Sequence, residues 1–160
     1  MITKFVIFET YVTTDNQIVY HGSPTEHDFS KGGDVYNGTF FSTRKADSLS
    51  YGKHLYKVTL QPDLKLFDTR KIEDCQLLID KFGELYDDYF DKNEQSDQYY
   101  ITTPEQLSNN ADNWNPIERT DGVLDWLNDN YDGVMIFEGG TLNILLFSPV
   151  DLKIHNIVKL

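Results

Sequence analysis

The sequence predicts an α+β fold. Strand-like alternation is confined to the two ends of the chain, helical spacing fills the middle, and no repeating strand–helix pattern of a parallel sheet runs through it. A length of 160 residues with 39% hydrophobic and 14% aromatic content suits one domain over residues 1–160 around a shared core. No internal repeat, low-complexity tract or linker interrupts it.

Met1 to Tyr20 reads as two strands. Phe5, Ile7 and Thr10 alternate with polar neighbours, Asp15-Asn16 supplies a turn, and Ile18-Val19-Tyr20 resumes the β pattern. Pro24 with Gly32 and Gly33 marks a loop from Ser23 to about Asn37. Thr39-Phe40-Phe41-Ser42 is a short strand, and adjacent Phe40 and Phe41 must face opposite ways. A small helix follows, with Ser42 or Thr43 as its cap, Ala46 and Leu49 inward and Gly52 at its exit. His54 to Leu60 alternates cleanly, which buries Tyr56, Val58 and Leu60. From Lys71 to Phe90 the apolar residues fall at helical steps: Ile72, Cys75, Leu78, Ile79, Phe82, Leu85, Tyr86, Tyr89 and Phe90. Gly83 is a weak point in that helix. Asp87 to Asp97 reads as a solvated acidic helix end and loop. A second helix spans Ile117 to Asn130, with Val123, Leu124 and Leu127 inward and Trp126 nearby. Three strands close the chain: Val134 to Phe137, Leu142 to Phe147 and Leu152 to Val158, separated by Gly139-Gly140 and Ser148-Pro149.

Charge and composition exclude several classes. Asp plus Glu number 26 against 14 Lys plus Arg, a net charge of −12, which disfavours direct duplex nucleic-acid binding. One cysteine excludes an internal disulfide framework and fits a reducing compartment. No apolar run approaches the roughly 20 residues of a membrane span. Glu9 interrupts the N-terminal apolar stretch, and no cleavage site follows it. The expected location is the cytoplasm.

Single motifs carry little. His21, His27, His54 and His155 form no metal-ligand spacing, so no metal is expected, and the acidic stretch lacks the glycine of an EF-hand loop. Cys75 sits at an inward helical position and reads as packing rather than as a nucleophile. Ser50-Tyr51-Gly52-Lys53 fits Ser-x-x-Lys, a tetrad that arises by chance, without the partner motifs of penicillin-binding enzymes. His27, His54 and His155 read as surface or structural.

Three segments taken in order carry more. Ile18-Val19-Tyr20-His21-Gly22-Ser23-Pro24 brings a histidine and a glycine to a strand end. Gly38-Thr39-Phe40-Phe41-Ser42-Thr43 is followed by Tyr51-Gly52 and the strand Leu55 to Leu60. Tyr131 to Gly140, with Glu138 before the two glycines, runs into Leu142 to Pro149. This set resembles the His-Tyr-Glu branch of the ADP-ribosyltransferase superfamily, the diphtheria-toxin-like and poly-ADP-ribose-polymerase-like enzymes. It looks closest to small phage and bacterial members, among them the ADP-ribosylating anti-CRISPR proteins. The likeness covers Val19 to Leu60 and Tyr131 to Ile154 and does not extend to the helical middle, Gln61 to Asn130.

The resemblance implies a split β-sandwich, two small antiparallel sheets around an NAD cleft with helices inserted in the middle. NAD would be a substrate whose nicotinamide–ribose bond breaks through an oxocarbenium-like sugar, which requires a gripped nicotinamide and nearby negative charge. By the resemblance, His21 would hydrogen-bond the adenosine ribose and Gly22 would hold the carboxamide through its backbone. Tyr51 would stack on the nicotinamide, a contact of about 0.5–1.5 kcal/mol beyond burial. Ser23, Phe41 and Ser42 would line the cleft, and Glu138 would stabilise the cation and orient the acceptor. The chain departs from the pattern at one point. In many relatives the acidic residue opens the strand that ends in aromatic-x-Pro, which lands on Asn143, whereas in anti-CRISPR-like members it lands on Glu138. With Asn143 at the true position, the domain would bind nucleotide without catalysis.

The activity so implied is mono-ADP-ribosylation of a macromolecular acceptor, a host defence protein if the chain acts as a phage anti-CRISPR effector. Loops Thr25–Asn37 and Ser96–Trp114 would meet that acceptor. Two alternatives remain open. An NAD glycohydrolase would use the same site with water as acceptor. A non-enzymatic acidic inhibitor would use its charge to mimic nucleic acid, although the acids are spread along the chain without a long run.

Overall fold

The computed structural model describes residues 11–31, 33, 38–87 and 99–160, with Tyr99 described by its backbone. The expectations for Phe5, Ile7 and Thr10, for Tyr89 and Phe90, and for most of the Asp87–Asp97 acidic stretch lie outside the described residues.

The elements in chain order are β1 (Tyr11–Val12), β2 (Ile18–Ser23), β3 (Thr39–Ser42), α1 (Lys45–Ser48) running into a 3-10 turn (Leu49–Tyr51), β4 (His54–Leu60), β5 (Lys65–Asp68) and α2 (Ile72–Phe82). Then come β6 (Leu85–Asp87), β7 (Tyr99–Ile101), α3 (Pro104–Ser108), α4 (Trp114–Arg119), α5 (Val123–Asn130), β8 (Gly133–Glu138), β9 (Thr141–Leu146) and β10 (Ile154–Lys159). The class is α+β, as expected. The large sheet runs β1-β5-β8-β9-β3-β2-β4-β10, and β6 pairs with β7 in a small second sheet.

The sheet arrangement differs from two small antiparallel sheets. Hydrogen bonding is continuous across all eight strands, and β5 pairs with β8 in parallel. A division is still visible inside it, because β2 and β3 share the single pair Tyr20↔Ser42, while their outer neighbours form long ladders. The two halves also face each other across one core. Leu66, Met135, Ile144 and Leu146 from one half pack with Val19, Tyr56, Val58 and Leu60 from the other. The alternate residues Phe67, Val134, Ile136 and Leu145 point the opposite way and pack against α2, α4 and α5 through Leu78, Ile117 and Leu127. With both faces covered, β8 is a continuous buried run from Gly133 to Ile136.

Local chemistry accounts for the corrections to the sequence reading. The helix expected to reach Phe90 ends at Phe82, because Gly83 adopts φ 78° and caps it; Leu85 to Asp87 then pair as β6. The helix expected over 117–130 is two helices, α4 and α5, broken before Gly122 at φ 83°. The cap of α1 is Arg44 rather than Ser42 or Thr43, since Ser42 is buried in β3 and the Thr43 hydroxyl donates to the Leu142 carbonyl at 3.0 Å. Ala46 and Leu49 are exposed, and Ser48 is the inward residue of α1. The Asp15-Asn16 turn forms as read, with Asn16 at φ 61°. Among the described residues no helix is long and apolar enough to cross a membrane.

Candidate functional site

The site grows from the weak junction between β2 and β3. Continuing the register past Tyr20↔Ser42 would set Gly22 opposite Phe40, but the ladder stops there. The Phe40 carbonyl instead accepts a hydrogen bond from His21 Nδ1 at 2.8 Å. A carbonyl only accepts, so Nδ1 carries the proton and the ring orientation is fixed. The His21 ring lies 4.3 Å from that of His27 and edge-on to Phe29 at 5.4 Å, and the residue is buried. Where the strands part, a cleft of about 410 Å³ opens. His21, Gly22, Ser23, Phe41, Ser42, Tyr51 and Glu138 all line it, as does Asn143. Three segments distant in sequence therefore meet at one opening.

Gly22 has a structural reason to be glycine. A Cβ built on it would overlap the backbone carbonyl of Ser48 and sit 3.4 Å from the Tyr51 Cβ. Strand β2 thus packs directly under the end of α1 and the 3-10 turn, which holds Tyr51 over the strand. Tyr51 remains 53% exposed, a flat ring available on the cleft wall. Burial of its hydroxyl raises its pKa, the Glu138 carboxylate adds to the rise, and a hydrogen bond from Asn143 opposes it.

Glu138 ends β8 at the hairpin turn formed by Gly139 and Gly140, whose φ values of 55° and 79° suit a tight two-residue turn. It pairs with Thr141, and Asn143 pairs with Ile136 on one side and with Ser42 on the other. Glu138 and Asn143 are therefore diagonal neighbours on one face of the hairpin. Glu138 is exposed as a residue, while its carboxyl turns toward the cleft wall. Partial burial there pushes its pKa up; Asp112 and Glu118 push the same way, and hydrogen bonding from Asn143 pulls it down. The two positions considered for the acidic residue belong to one cluster.

Some lining residues carried no sequence signal. Phe40 packs on Trp114 with ring centres 5.1 Å apart and planes 85° apart, and both residues line the cleft. Buried Asn113 fixes the end of β8, its Oδ1 accepting from the Phe137 N–H at 2.7 Å. His27, read as surface or structural, lines the cleft beside His21. Phe41 is the core member of its pair, stacked parallel to Phe29 and fully buried, so it backs the cleft while Phe40 is more open. In the segment read as an acceptor loop, Ser96–Trp114, the described residues from 99 onward include β7 and α3. Cys75 is buried and its thiol is pushed up to about 12 by burial, as fits packing. Among the described residues no group of three or more His, Cys, Asp or Glu could hold a metal ion.

No family model matches the chain. No curated protein matches it either. A solved structure described as the crystal structure of an anti-CRISPR protein superposes with a TM-score of 0.49 at 18% identity, over 93% of this chain and 98% of that one.

Proposed function

We propose that this chain is a mono-ADP-ribosyltransferase that cleaves NAD and transfers ADP-ribose to a macromolecular acceptor. The observation that carries the reading is the meeting of His21, Gly22, Tyr51 and Glu138 at one cleft whose volume lies in the range of small-molecule sites. The chemistry of the wall agrees with it. Tyr51 offers an aromatic face for a flat cationic ring, and the free strand edge at Gly22 offers backbone groups for a carboxamide.

In this reading the bond between the ribose C1′ and the nicotinamide nitrogen breaks, and its electron pair leaves with nicotinamide. The Glu138 carboxylate faces the positive charge that develops on the sugar. The acceptor's lone pair forms the new bond to C1′, and the acceptor's proton passes to Glu138 and then to solvent. The raised pKa of Glu138 brings it closer to the range in which a carboxylate transfers protons well. His21, held by Phe40, orients the adenosine end. The acceptor class follows from the sequence resemblance, which points to a host defence protein.

The test is nicotinamide release from NAD carrying a label in its adenosine half, with and without host-cell protein. Release together with labelled protein supports transfer. Release with free ADP-ribose and no labelled protein identifies a glycohydrolase on the same residues. An absence of both under every condition overturns the reading.

A further inference from the structure

Asn143 is a buried polar residue on the cleft wall. It is 3% exposed in the middle of strand β9, close enough to the Glu138 carboxyl and the Tyr51 hydroxyl to lower the pKa of both. Its Oδ1 is buried at the cleft and has no hydrogen-bond partner among the described residues. A buried acceptor left unsatisfied costs stability, and the cross-strand partner Ile136 is an apolar neighbour against which a leucine could pack. A polar group kept at that cost points to a donor that arrives with a ligand.

Resting on the NAD reading above, we infer that Asn143 is a specificity residue that reads the nicotinamide-side ribose as a cis-diol. Its Oδ1 accepts a hydrogen bond from one ring hydroxyl while Glu138 accepts from the neighbouring one. The diagonal placement puts a carboxylate and an amide oxygen side by side on one face, and two adjacent acceptors match two donors on adjacent ring carbons. Phosphate and carboxylate groups bring no donors and would be repelled by Glu138. The second acceptor is neutral for a physical reason: a carboxylate beside Glu138 would raise the Glu138 pKa further and leave it protonated more of the time.

The experiment is a double-mutant cycle between protein and ligand. Affinities for NAD and for its analogues lacking the 2′- or the 3′-hydroxyl of the nicotinamide-side ribose are measured on the wild-type chain and on Asn143→Leu. Wild type should bind each analogue about five- to tenfold more weakly than NAD. Asn143→Leu should erase that penalty for one analogue and keep it for the other. Cooperative thermal unfolding of the variant checks that it is folded. If Asn143→Leu does not fold, Asn143→Ala serves the same cycle. Both penalties persisting in the variant while wild type binds NAD would overturn the role of Asn143 and leave the NAD reading standing. Failure of wild type to bind NAD would overturn both.

Discussion

Asn143 lies beside Glu138 on the β8–β9 hairpin and lowers a carboxyl pKa that burial, Asp112 and Glu118 raise. The two residues sit on one face of the β8–β9 hairpin. In the proposed reading Glu138 supplies the charge and Asn143 is its neutral neighbour.

Glu138→Gln keeps the size and hydrogen-bonding reach of the side chain and removes its charge. Turnover should fall by about two to three orders of magnitude, the usual size for loss of one electrostatic stabiliser. NAD affinity should change by no more than a few-fold. Nicotinamide release and calorimetric binding on the same preparations check both halves, and unchanged turnover would remove Glu138 from the chemistry.

The pH dependence follows from the same cluster. A raised pKa means that Glu138 loses its carboxylate form at a higher pH than an ordinary glutamate. Activity should be full above that pKa and fall as pH drops through it. Asp112→Asn removes a repelling charge and should move the acid limb to lower pH, whereas Asn143→Leu removes the opposing hydrogen bond and should move it to higher pH. A pH–rate profile of the three proteins reads the order directly; shifts in the reverse order contradict the arrangement.

Much of this site was legible in the sequence, and the reasons differ by element. Clean alternation marked β4, and Gly139-Gly140 marked the hairpin that presents Glu138. His21 and Gly22 stood out because a β-branched run ended in them beside Pro24. Strand β5 escaped notice: Lys65 to Asp68 is too short to show a period, and its parallel pairing with β8 is a tertiary event. The apolar steps of α2 continue in register past Phe82, so only the positive φ of Gly83 separates helix from strand. Phe40 and Trp114 were hidden because their meeting depends on how α4 packs on the sheet. Ser48 replaced Ala46 and Leu49 as the inward residue of α1 because Gly22 opens space for its backbone.

Gly22→Ala tests that packing. The new methyl would overlap the Ser48 carbonyl and must push the turn bearing Tyr51 away from β2. Overpacking of this kind costs about 1–3 kcal/mol. Urea denaturation should show a loss of that size, with weaker NAD binding beside it. A variant as stable as wild type would mean that the turn moves freely.

Cys75 should report unfolding. It is fully buried, its thiol donates to the Thr69 carbonyl at 3.2 Å, and with a pKa near 12 almost none of it is thiolate at neutral pH. A thiol reagent at pH 8 should label it only at the rate of opening of the α2 region, and labelling should accelerate across the denaturant transition. Rapid labelling of the native protein would contradict its burial.

In the proposed reading, the parting of β2 from β3 makes an NAD site around His21. Calorimetric titration of NAD into the wild-type chain and into His21→Ala tests it most directly. Binding in the micromolar to low-millimolar range by wild type, lost in the variant while its thermal unfolding stays cooperative, is the predicted result. No heat of binding to wild type at millimolar NAD would contradict the claim.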